Sequence, residues 1–321
     1  MAALTLSPDA LADRMRAGTP PSLFDDTTAV LLPLDADASA PVGALPPCPV
    51  IGIGHGPAAW AAACDVRVAD TDAATPLLQR IEATPRAAAV FVQLLRHTEG
   101  LPRDAALFAE SLSYSTLQAG PEYQAWLAAH RADHPTPHRD TGPAVMLERS
   151  GPQLQLWLNR ASTRNAMSRE MRDALIEALQ LVQLDPEIRE VRLAGHGKCF
   201  STGGDLSEFG SAPDPATAHL VRSLALPGAA LAACRDRVTV RVHGACIGSG
   251  IEFPAFAGRI EAHQDAWFQL PELRFGLIPG AGGCISLPRR IGRQRTAWMV
   301  LGGARVTAAT ALDWGLVDAL V

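Results

Sequence analysis

Two glutamates lie twenty residues apart in otherwise apolar passages: Glu252 in HGACIGSGIE (243–252) and Glu272 in FQLPELRFGLIPGAGG (268–283). Two carboxylates in one dry pocket can divide acid and base roles, because burial and mutual repulsion push their proton affinities apart. Each also has a plainer reading, Glu252 as a favourable charge at a helix N-terminus and Glu272 as a solvated loop residue. Beside them stand two glycine turns at the ends of apolar runs, Gly203-Gly204 in CFSTGGDL (199–206) and Gly248-Ser249-Gly250. Glycine lets another molecule approach the backbone closely. Two such turns can aim two N–H groups at one oxygen, the geometry of an oxyanion hole, in which one donor is worth about 3 kcal/mol. Taken singly, either is also an ordinary tight turn.

The elements that must position these residues can be read from periodicity. AVMLER (144–149) and LQLWLN (154–159) read as strands around the turn Ser150-Gly151-Pro152, and SREMRDALIEALQLVQLD (168–185) sets Met171, Leu175, Ile176, Leu179 and Val182 at helical spacing. VRLAG (191–195) and DRVTVRVHGA (236–245) are further strands. IEFPAFAG (251–258) is apolar enough for a buried helix, and a helix is expected after Pro279-Gly280 through CISLPRRIG, with Pro288 a point where it could split. RTAWMVLGG (295–303) is another helix. Such alternation makes an α/β domain with a covered sheet. A stretch rich in Pro, His and Asp at 132–144 reads as a linker, dividing the chain into 1–140 and 141–321.

Composition excludes several classes. The net charge of −5 and the lack of a basic block argue against a nucleic-acid or membrane-surface binder. No apolar run is long enough to span a bilayer, and the N-terminal residues lack a signal-peptide pattern, so a cytoplasmic address is expected. Six cysteines without a C-x-x-C pair suggest neither a disulfide framework nor a zinc site. With no metal-ligand spacing and no phosphate-binding G-x-x-x-x-G-K-[ST] loop, the chemistry calls for no metal or redox cofactor. Lys198, the one lysine, stands beside the first glycine turn.

From about 143 to 321 the chain resembles the crotonase (enoyl-CoA hydratase and isomerase) superfamily. LNRASTRNAMS resembles its strand-to-helix passage, HGKCFSTGGDL its first oxyanion segment, HGACIGSGIE its second, and FQLPELRFGLIPGAGG its second carboxylate. The resemblance implies a spiral of ββα units, an acyl-CoA substrate of fatty-acid metabolism, and homo-oligomers that are trimers or hexamers. Carried over by position, the N–H groups of Gly204 and Ser249 form the oxyanion hole, with Ser249 where glycine is common. Glu252 activates a water oriented by the Gly280 N–H, and Glu272 gives the α-carbon its proton. Lys198 and Arg164 resemble positions near the nucleotide end of coenzyme A, where plain surface charge is the other reading. The reaction implied is hydration of a 2-enoyl-CoA. The alternatives are a thioester hydrolase or an isomerase of the same superfamily, and a non-catalytic protein that binds acyl-CoA or a partner.

The front region is expected to be a shortened, permuted and inactive crotonase-like half, mainly helical, with strands at about 29–70 and helices at about 75–131. CPVIGIGHGPAAWAAACDVRVAD (48–70) resembles RVTVRVHGACIGSGIEFPAFAGRIEAH (237–263) when His55-Gly56 is aligned with His243-Gly244. Residues 75–131 look like the family's terminal helices placed before the core, able to cap the pocket of the same chain or of a neighbour. An unrelated helical extension is the alternative.

Overall fold

A computed structural model describes residues 2–34, 41, 43–56, 58–130 and 140–321. Most of the expected linker at 132–144 lies outside these residues. In the front region, strands β1 (Ala2–Thr5), β2 (Thr27–Pro33), β3 (Val50–Ile53) and β4 (Val66–Val68) pair in chain order, all parallel. A parallel sheet needs cover on both faces, and the alternation of β2 and β3 supplies two apolar sets. Val30, Leu32 and Val50 pack under α1 (Pro8–Arg16) and α2 (Ala58–Ala63) through Leu11 and Trp60. Ala29, Leu31 and Ile51 point the other way, onto Leu77 and Ile81 of α3 (Thr71–Ala83). Helices α4 (Pro85–Thr98), α5 (Arg103–Gln118) and α6 (Pro121–His130) follow. The strands and helices expected at about 29–70 and 75–131 are present, with β1 and α1 ahead of them.

The rear region begins with the antiparallel hairpin of β5 (Val145–Ser150) and β6 (Gln153–Leu158), and α7 (Arg169–Leu184) then leads to β7 (Glu190–Gly195). Ser168 caps α7 by accepting the Met171 N–H, and Met171, Leu175, Leu179 and Val182 are buried along it. Ile176 is only half-buried. Helices α8 (Pro215–Leu224) and α9 (Pro227–Ala233) precede β8 (Val238–Val242), which is followed by β9 (Ala245–Ile247), α10 (Ser249–Glu252), β10 (Arg259–Ala262) and β11 (Trp267–Gln269). The chain continues through α11 (Gly283–Ile291), α12 (Arg293–Gly302), β12 (Val306–Thr307), α13 (Ala308–Trp314) and β13 (Ala319–Leu320). The main sheet has the order β13-β10-β8-β7-β6-β5, and β12-β11-β9 form a smaller one.

One expectation needs correction. The buried helix foreseen at 251–258 is a single turn, α10, followed by a 3₁₀ turn over Pro254–Phe256. Pro254 has no N–H to continue the ladder, so Glu252 falls on the last residue of α10. Pro288, by contrast, is carried inside α11, which runs on to Ile291.

The two regions share an apolar core, to which Leu77, Phe91 and Leu95 contribute from the front and Ile285, Leu287 and Val300 from the rear. A buried ion pair also joins them. Asp65 accepts the Val50 N–H at 2.8 Å, and meets Arg96 Nε of α4 at 2.8 Å and Arg293 Nη1 of α12 at 3.2 Å. Among the described residues no helix is long and apolar enough to cross a membrane, and all six cysteines are buried and free of disulfides.

Candidate active site

The first glycine turn is held by a side chain far from it in sequence. Asn165 donates from its amide to the carbonyls of His196 at 2.8 Å, Cys199 at 3.2 Å and Phe200 at 3.0 Å. The Ser201 hydroxyl donates to the Asn165 carbonyl at 2.8 Å and accepts the Gly203 N–H at 3.2 Å. This segment lies directly against the second turn, since Ser201 N–H donates to Ala245 and Ile247 N–H returns to Ser201. At Gly203, φ is +89° and a Cβ would sit 2.7 Å from the Ile247 carbonyl oxygen, so only glycine lets the two turns come this close.

That packing leaves two donors over. Met167 N–H bonds the Gly203 carbonyl and Asp205 N–H bonds the Met167 carbonyl, which skips the N–H of Gly204 between them. Ser249 opens α10, where an N–H has no earlier carbonyl in its own helix to meet. Among the described residues neither N–H has an acceptor, and the buried Ser249 hydroxyl is likewise without a partner.

Both glutamates converge on Gly248, between the turns. A Cβ placed there would lie 2.7 Å from Glu272 Oε1 and 3.8 Å from Glu252 Oε1. Their environments differ sharply. Glu252 Oε2 accepts N–H groups from Ala281 at 2.7 Å and Gly283 at 3.0 Å, and the Gly280 N–H also acts on it. Glu272 Oε2 is buried with no hydrogen-bond partner. Burial pushes the proton affinity of both upward. In Glu252 the backbone donors oppose it, leaving a value of about 7. In Glu272 repulsion from Glu252 and Glu110 adds to burial, and its carboxyl is held well above the usual range. The arrangement favours an ionised Glu252 beside a protonated Glu272.

Sequence reasoning missed Glu110. It is 2% exposed, comes from α5, and accepts the N–H groups of Gly282 at 2.7 Å and Cys284 at 2.8 Å. Burial first, and the Glu252 charge second, raise it to about 8. One turn further along α5, the Tyr114 ring covers Gly280, where a Cβ would lie 2.3 Å from Tyr114 Cδ2. Arg222 of α8 stacks on the same ring at 4.5 Å and donates to the Ser111 carbonyl and the Ser115 hydroxyl. The cap over the 279–284 turn therefore comes from the same chain.

Of the residues singled out from sequence, Gly204, Ser249, Glu252, Glu272 and Gly280 come together. Lys198 and Arg164 do not enter the pocket. Both are exposed, and Arg164 adjoins the first turn by accepting the Thr202 N–H at 3.1 Å.

A ββα spiral with two free N–H groups over paired glutamates is an architecture suited to acyl-thioester enolate chemistry. Comparison with known proteins gives the same class: the enoyl-CoA hydratase/isomerase family profile matches residues 152–321. The chain belongs to that family, the crotonase superfamily, over this region. It is 32% identical to the 2,3-dehydroadipyl-CoA hydratase of Escherichia coli over 174 residues, 54% of this chain and 68% of that protein. It is 34% identical to the carnitinyl-CoA dehydratase of Salmonella paratyphi A over 186 residues, 56% and 68% of the two chains. Among solved structures, an enoyl-CoA hydratase from Mycobacterium smegmatis superposes with a TM-score of 0.52 at 30% identity, covering 56% of this chain and 70% of that one. The profile match starts at residue 152, so β1–β4 and α1–α6 lie outside it.

Proposed function

We propose that the chain is an enoyl-CoA hydratase, with residues 141–321 as its catalytic core and 1–140 as a crotonase-like front domain. The observation that carries this reading is the asymmetry of the two carboxylates facing Gly248: Glu252 Oε2 accepts two backbone N–H groups, and Glu272 Oε2 is buried without a partner. A water oriented by the Gly280 N–H loses a proton to Glu252 as its oxygen attacks the β-carbon of a 2-enoyl thioester. The electron pair of the double bond moves onto the thioester oxygen, where the N–H groups of Gly204 and Ser249 stabilise the enolate. Glu272 then delivers its proton to the α-carbon, giving a 3-hydroxyacyl-CoA. Proton transfer from Glu252 back to Glu272 resets the pair. In this reading Lys198 and Arg164 meet the nucleotide end of coenzyme A, no separate cofactor takes part, and a cytoplasmic trimer or hexamer fits the family.

The test is turnover of crotonyl-CoA by the purified protein, following loss of the conjugated thioester absorbance together with release of free thiol. Absorbance loss without thiol, abolished in Glu252→Gln and Glu272→Gln, is the expected result. Thiol release would move the assignment to a thioester hydrolase, a shift of the double bond without water to an isomerase, and tight acyl-CoA binding without turnover to a non-catalytic role.

A further inference from the structure

The turn before α11 is held by two carboxylates. The N–H groups of Ala281 and Gly283 bond Glu252, and those of Gly282 and Cys284, alternating with them, bond Glu110. The turn itself is Pro279-Gly280-Ala281-Gly282-Gly283. Its three glycines and one alanine have no side chain able to anchor it, and Gly282 has a φ of +98°. Its shape therefore depends on what its N–H groups bind. Each oxygen of Glu110 accepts one of these N–H groups, so the side chain holds the turn at two points.

The proposed reaction gives this a mechanistic sense, and the inference rests on that reading for its catalytic part. When Glu252 takes the water's proton it loses its charge and with it most of its hold on Ala281 and Gly283. A turn held by Glu252 alone would loosen midway through each cycle. Glu110 takes no part in the proton transfers, so its grip on Gly282 and Cys284 persists.

We propose that Glu110, reaching the site from α5, is a positioning residue that anchors the 279–284 turn. It keeps the Ala281 and Gly283 N–H groups aimed at Glu252 in both of that residue's protonation states. The charged and titratable groups around this pair are Glu272, Cys284 of α11, Tyr114 on the same helix as Glu110, and Arg222 of α8. Arg222 is the cation of this set, and it stacks on the Tyr114 ring.

The experiment compares the full chain with Glu110→Gln and Glu110→Asp, measuring kcat/KM for crotonyl-CoA against pH. In Glu110→Gln, whose amide has one acceptor oxygen in place of two, the Ala281 and Gly283 donors that lower the proton affinity of Glu252 are less well held, and the ascending limb moves to higher pH by about one unit, a roughly ten-fold change in ionisation constant. Its kcat at the optimum falls at least about ten-fold, with KM little changed. Glu110→Asp, which keeps both acceptor oxygens, restores the wild-type midpoint. A lower melting temperature with the midpoint unmoved would overturn the proposal, leaving Glu110 as a cap for α11 alone. A second readout needs no turnover: the carboxyl ¹³C resonance of Glu252 in glutamate-labelled protein, assigned with Glu252→Gln. It titrates at higher pH in Glu110→Gln even if crotonyl-CoA is not a substrate, so failure of the proposed reaction and failure of the positioning role give different results. If Glu110→Gln does not fold, the wild-type resonance decides: two titration steps, one reporting Glu110, are expected, and a single step would sink the idea.

Discussion

Replacing Gly248 by alanine tests whether the carboxylate facing it does chemistry. Gly248 has φ 51° and ψ −124°, a conformation essentially reserved for glycine, and imposing it on alanine costs about 1–3 kcal/mol. The new methyl would lie 2.7 Å from Glu272 Oε1, where ordinary contact begins at 3.4 Å, so the carboxylate must retreat by about 0.7 Å. A displacement approaching 1 Å at a reacting group costs up to about 10²-fold, and we expect kcat to fall roughly 30- to 100-fold. Gly292→Ala is the control. There φ is +81° with nothing within 4 Å of the new Cβ, so the backbone strain is similar and no carboxylate moves. The assay is kcat for crotonyl-CoA and the melting temperature of both variants. Both variants lose stability, Gly248→Ala the more because its methyl also displaces a buried carboxylate, and a deep loss of kcat is expected only in Gly248→Ala. If Gly248→Ala is destabilised yet keeps wild-type kcat, Glu272 is not the acid and the reasoning fails.

Two further outcomes follow from buried charge. The Glu252 carboxyl is protonated in folded and unfolded chains alike below its ordinary value of 4.5, and the folded protein keeps that proton up to about 7. Its contribution therefore favours folding at the acid end and is lost as pH rises from 4.5 to 7, by about 3 kcal/mol. Denaturant titrations at the two pH values should show wild type losing about that much stability relative to Glu252→Gln, and a pH-independent difference would contradict the burial argument. Asp65→Asn leaves Arg96 and Arg293 without their shared, buried counter-charge and should cost about 3–5 kcal/mol in urea unfolding. A loss below about 1 kcal/mol would mean that the pair behaves as an exposed one.

The gathering of residues near Gly248 was legible because its donors and acids sit in short segments whose residue types are constrained by close backbone approach, as at Gly203. The main strands were legible from apolar alternation, and α7 from its 3.6-residue period. Glu110 carried no comparable signal, since a glutamate in a helix reads as a solvated face. Its one trace is position: it falls four residues after Ala106 and seven before Leu117, both buried, and so on the core-facing stripe of α5. Asn165 was equally hidden, because its three carbonyl partners lie more than thirty residues away in sequence. The helix expected at 251–258 failed at Pro254, where composition said apolar and the missing N–H said stop. In the front region the pairing of β3 with β4 around α2 parallels that of β8 with β10 around α10.

The bonds from Gly282 and Cys284 to Glu110 join residues 172 and 174 positions apart. Contacts so distant along the chain form only after both stretches have collapsed, because the entropy of closing so long a loop is spent before the contact gives anything back. The 279–284 turn thus takes its final shape late in folding, when α5 docks. A molecule whose sheets are complete but whose fifth helix has come away would be native by most spectroscopic measures and, under the proposed reaction, idle.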